Sequence, residues 1–166
     1  IRGDASDMLD NATLTAAYLE RGGEQRELTS KERKQVGDLL FRIGILHSLQ
    51  RGDHATAVTW FDRTIPLWTK NERFESDGEL GRLGESYVSM AISYWQVDRR
   101  EDALELGGRG VDLMVKAVDK GQLEERALSV AYGNLSTMYA EQGDEAKSRS
   151  YAEMATRAET SGTTLR

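Results

Sequence analysis

One eight-residue pattern occurs three times at nearly constant spacing, and it constrains this chain more than any other feature. The copies are Leu40-Phe41-Arg42-Ile43-Gly44-Ile45-Leu46-His47, Tyr87-Val88-Ser89-Met90-Ala91-Ile92-Ser93-Tyr94 and Tyr132-Gly133-Asn134-Leu135-Ser136-Thr137-Met138-Tyr139, which begin 47 and 45 residues apart. Each opens with a large residue, places a long aliphatic fourth and a small residue fifth, and ends on a ring. A turn follows, and then a second segment with small residues at its first marked place: Ala57, Ala103 and Ser148. Phe61, Gly107 and Ala152 come four later, and Thr64, Gly110 and Ala155 three after those. Where two helices cross closely, a long side chain does not fit between the backbones, which accounts for small residues at these places.

Apolar residues recur at helical spacing along the rest of the chain, with no alternating strand run. Breaks fall at Gly22-Gly23, Gly52-Asp53, Asp77-Gly78, Asp98, Lys120-Gly121 and Gly143-Asp144. Thr29 with Glu32, Ser76 with Glu79 and Asp98 with Glu101 each set an oxygen acceptor three residues before a Glu, the arrangement that satisfies free amides at a helix start. Gly52 and Gly143 suit the left-handed residue after a helix, with Asp53 and Asp144 as the next N-caps. The reading is all-α, with about seven helices over 5–21, 30–50, 54–70, 78–97, 100–119, 122–142 and 144–160, to within about 2–4 residues at each end.

These positions resemble the tetratricopeptide repeat, W-x2-L-G-x2-Y…A-x3-F. The fullest copy runs through Tyr132, Leu135, Ser136, Tyr139, Gly143-Asp144, Ser148, Ala152 and Ala155. The resemblance covers 36–160 and implies a right-handed superhelical array of antiparallel hairpins. That array would form a single domain, with 1–28 as the second helix of a truncated repeat or a cap, then repeats at 29–75, 76–120 and 121–166. The period of about 45 exceeds the family's usual 34, as in long-helix relatives such as kinesin light chain repeats.

The family lines a concave groove with the first helix of each unit. Carried over by position, the groove candidates are Arg42 and Ile45; Glu85, Val88, Ser89, Ile92 and Trp95; and Gly133, Asn134, Thr137 and Glu141. Arg42 and Asn134 suit a terminal carboxylate, but Glu85 and Glu141 oppose one. Ile45, Val88, Ile92 and Trp95 favour an amphipathic helix or an extended apolar segment.

Other constellations have plainer readings. The carboxylates alternate with Lys and Arg, as on solvated helix faces, and no catalytic set emerges. His47 and His54 straddle a turn, so they do not share a face as a metal pair would; no metal or cofactor is expected. Gly107-Gly108-Arg109-Gly110 lacks the preceding strand and the Gly-Lys-Ser/Thr of a phosphate loop. Lys31, Arg33 and Lys34, like Arg99 and Arg100, are interleaved with acids and read as solvated. Pro66 should bend or end its helix.

The net charge of −6 argues against nucleic acid, and no apolar run approaches a membrane span. Without Cys there is no disulfide framework; the compartment stays open, with cytoplasm favoured over secretion. Ile1 opens the chain without a signal pattern, as in a piece of a longer protein. The resulting expectation is a non-catalytic interaction scaffold with a protein or peptide partner. The alternative is a sensor array for a small molecule or signal peptide. An uncapped first helix, with Leu9, Leu14 and Tyr18, should favour weak self-association.

Overall fold

The computed structural model describes residues 12–18, 21–22, 27–69 and 79–161, and every element among them is helical. The chain divides into two compact units, Ile1–Arg73 and Phe74–Arg166.

In the first unit, a helical stretch over residues 12–18 precedes α1 (Ser30–Arg51) and α2 (His54–Thr69). The rest of the helix expected at 5–21, Leu9 included, lies outside the described residues. Thr29 starts α1 with the expected reciprocal cap: its hydroxyl accepts from the Glu32 amide, and its own amide donates to the Glu32 carboxylate at 2.9 Å. Gly52 closes α1 at φ 63°, and the Asp53 carboxylate then accepts from the Thr56 amide at 3.0 Å. This two-residue link turns α2 back along α1. Gly44 faces Phe61, and Gly37 faces Trp68 seven residues further on, the reciprocal register of an antiparallel pair. Phe41 lies between Phe61 and Trp68, with ring centroids at 5.9 and 5.3 Å. Ala16 closes over Val36, Leu40 and Ile43 to complete a buried cluster.

Of the bend or end expected at Pro66, the end does not occur: α2 runs on to Thr69. Pro66 is exposed, so the backbone bond it cannot make lies on the solvent side. Trp68, buried at 5% exposure against Phe41, anchors the last turn.

The second unit holds α3 (Leu80–Gln96), α4 (Arg100–Asp119), a 3-10 turn (Glu125–Ala127), α5 (Leu128–Gln142) and α6 (Glu145–Ser161). The expected helix over 122–142 thus starts later, after that turn. Here α3 packs on α4, α5 on α6, and α4 on α5. Gly84 and Gly110 let the α3 and α4 backbones meet: a Cβ on either would stand within 2.7 Å of the other's carbonyl oxygen. Gly107 receives the tip of Leu135 from α5. Tyr87, Met90, Tyr94 and Leu135 are buried. The first, fourth and last octet positions of α3 and the fourth of α5 thus enter this core, while Tyr132 and Tyr139 are half-buried.

Gly143 (φ 86°) ends α5, and the Asp144 carboxylate accepts from the Lys147 amide at 3.0 Å. The Asp98 cap is corrected. Arg99 is the residue before α4 and makes no side-chain cap, while Asp98 takes the left-handed conformation at φ 63°. It fills at this turn the role that Gly52 and Gly143 fill at theirs, one that Asp tolerates better than most residues. Ser76 lies outside the described residues, and Glu79 begins α3 without a side-chain cap.

Candidate functional site

Helical geometry sorts the α3 candidates into two stripes. Glu85, Ser89 and Ile92 lie one turn apart on one of them; Val88 and Trp95 share the next. Glu85 is exposed and Ile92 is 39% exposed, whereas Val88 and Trp95 are 8% and 7% exposed. The groove reading is therefore corrected at Val88 and Trp95. Val88 packs against Gly110 of α4, where its Cγ2 would stand 2.7 Å from an added Cβ. The Trp95 indole Nε1 donates to Glu141 Oε2 at 2.8 Å, and the Arg100 guanidinium lies 4.1 Å from its ring centroid. The ring is covered by its own fold rather than left open for a partner.

On α5, Gly133 and Asn134 are half-buried and Thr137 and Glu141 exposed. Ser89 and Thr137 spend their hydroxyls on their own helices, donating to the Glu85 carbonyl at 2.9 Å and the Gly133 carbonyl at 3.1 Å. Val130, 71% exposed, lies one turn before Asn134 and two before Thr137, and sequence reasoning missed it. Its signal was the i, i+4, i+7 spacing. What remains on the unit is one stripe on each of two touching helices: Glu85, Ser89 and Ile92 on α3, and Val130, Asn134 and Thr137 on α5.

In the first unit, Arg42 is exposed and Ile45 half-buried on α1, three residues apart. The Arg99–Arg100 pair is solvated and paired with acids as expected, with side chains 40% and 39% exposed, and it also covers two rings. Arg99 lies over Tyr94 with its Cζ 4.5 Å from the ring centroid, and Arg100 over Trp95.

The other constellations hold no ligand geometry. His47 Nδ1 stands 3.8 Å from Asp53 Oδ2, and burial of the imidazole, followed by the charge of Arg51, lowers its pKa. Among the described residues no three His, Cys, Asp or Glu side chains gather as a metal site would need. The Gly107–Gly110 run lies inside α4. A depression of about 540 Å³ is lined by Glu145, Ala146, Arg149, Ser150 and Glu153, all on α6, so no second element closes it. No helix among the described residues is long and apolar enough to cross a membrane.

No family model and no curated protein matches the chain. A solved structure does: the crystal structure of BtubC (BKLC) from P. vanneervenii, with a TM-score of 0.71 at 17% sequence identity. The likeness is one of fold. It extends over 99% of this chain and 60% of the BtubC chain, so the present chain spans about three-fifths of that protein's length.

Proposed function

We propose that this chain is a non-catalytic interaction module of tetratricopeptide-like hairpins. A peptide or helical segment would bind along the first helices of the second unit, α3 and α5. The observation that carries the reading is the pair of stripes on α3 and α5. Ile92 and Val130 present apolar surface there, and the Glu85 carboxylate and Asn134 amide beside them have no side-chain partner among the described residues. Separate exposed apolar groups with uncommitted polar groups between them suit the spaced side chains of an extended or amphipathic segment. The repeated octets and the likeness in fold to BtubC (BKLC) support the array. Leu14 and Tyr18, 69% and 77% exposed, support weak self-association through the N-terminal stretch.

The test is selection from a displayed peptide library on the full chain, followed by affinity measurement on the wild type and Ile92→Glu. A tenfold or greater loss on substitution is expected. Equal affinity would move the site elsewhere, and failure to recover any peptide would favour the small-molecule sensor.

A further inference from the structure

Trp95 sits where three elements meet. Its indole donates to Glu141 Oε2, on the last turn of α5, at 2.8 Å. The same oxygen accepts from an Arg100 terminal nitrogen at 3.3 Å, Arg100 being the first residue of α4. Asp98 holds the Nε of Arg100 at 2.8 Å from the left-handed turn between α3 and α4. The bonds form a chain of dependence. Asp98 orients Arg100, Arg100 covers the ring and reaches Glu141, and Glu141 takes the indole proton donor.

The other contact between these hairpins described above is apolar: the tip of Leu135 against Gly107. Apolar packing sets how closely the two hairpins approach, and hydrogen bonds with charged partners add a directional tie at one point. The Arg100 and Glu141 side chains are 39% and 52% exposed, so the ionic half of the cluster is open to solvent while the ring beneath is not.

We propose that Asp98, Arg100, Trp95 and Glu141 form a latch. It fixes the C-terminal end of α5 to the turn between α3 and α4, and it opens without unfolding the α3–α4 hairpin. When closed, it sets the spacing between Ile92 on α3 and Thr137 on α5. A group that drew the Glu141 carboxylate away would release the indole and let the end of α5 move. The latch does not depend on peptide binding, so its test is separate from that of the binding face.

The experiment uses the full chain as wild type, Glu141→Ala, Glu141→Gln, Trp95→Phe and the double variant Trp95→Phe/Glu141→Ala. Amide hydrogen exchange is read helix by helix, and indole exchange is read for Trp95. Glu141→Ala should accelerate Trp95 indole exchange about tenfold or more, and exchange at the end of α5 and along α6 by a similar factor. Amides within Tyr87–Tyr94 and within α1 should keep wild-type rates. Glu141→Gln, which retains a neutral acceptor, should fall between wild type and Glu141→Ala. Trp95→Phe should give the same amide pattern, and the double variant should add nothing to either single change. Uniform acceleration across the second unit, or unfolding of both Glu141 variants, would make the cluster a general stabiliser and overturn the latch. Unchanged exchange or additive effects would overturn it equally.

Discussion

A methyl group added at Gly110 and one added at Gly108 should have opposite effects, although the two residues sit two apart in the same helix. In α4, Ala is favoured over Gly by about 1 kcal/mol on backbone entropy alone. At Gly108 nothing lies within 4 Å of an added Cβ, so Gly108→Ala should stabilise the second unit by about that 1 kcal/mol. At Gly110 the methyl would stand 2.7 Å from the Gly84 carbonyl oxygen, 2.7 Å from Val88 Cγ2 and 2.9 Å from the Val88 amide nitrogen. Two of these atoms are backbone, so a rotamer change gives no relief and α3 must move away. Overpacking against backbone takes the upper part of the usual range, about 3 kcal/mol, which leaves Gly110→Ala about 2 kcal/mol less stable after the propensity gain. Denaturant unfolding of the full chain, followed by a probe in the second unit, measures both. Gly110→Ala as stable as the wild type, or no gap between the two variants, would refute the close crossing of α3 and α4.

Leu135→Ala should cost about 2–5 kcal/mol, since it empties a buried site whose tip touches Gly107; equilibrium unfolding checks this, and a loss under about 1 kcal/mol would remove Leu135 from the core. The Asp53 and Asp144 caps predict an acid dependence. For Asp53 the bonds from Thr56, and for Asp144 chiefly the Lys147 amide, lower the folded pKa below 3.8. Their stabilisation is therefore complete above that value and is lost as pH falls through the folded one. Asp53→Asn and Asp144→Asn should narrow their stability gap to the wild type as pH drops below 3.8, and a gap constant with pH would contradict the caps. Replacing exposed Leu14 and Tyr18 by Glu should weaken self-association at high concentration, read by sedimentation; a wild type that stays monomeric at millimolar concentration would remove that contact.

The turns and crossings were legible because they depend on local chemistry. Gly52-Asp53 and Gly143-Asp144 each supply a left-handed residue and then a carboxylate cap where a helix ends. The same dipeptide at Gly37-Asp38 lies inside α1, so it was the break in apolar spacing around the other two that made them legible. Small residues at 107 and 110 likewise marked a close approach before any neighbour was known. The side on which Trp95 lies was not legible in that way. Its position on α3 borders both the open stripe and the packed one, and the choice was made by Glu141, 46 residues away, and by Arg100 across the turn. Asp98 looked like a cap because the capping spacing recurs by chance among acidic residues, while its backbone was needed for the turn itself. Val130 holds, before the third octet, the place that Glu85 holds before the second, so the register that singled out Glu85 also pointed to it.

The central claim is that the α3–α5 face is the binding surface. The measurement that tests it most directly is amide chemical-shift mapping of the full chain titrated with a library-selected peptide. The account predicts saturable shifts concentrated on α3 around Glu85–Ile92 and on α5 around Val130–Thr137, lost in Ile92→Glu. Shifts gathered instead on the open face of α6 around Ala146 and Arg149, or unchanged in Ile92→Glu, would contradict it.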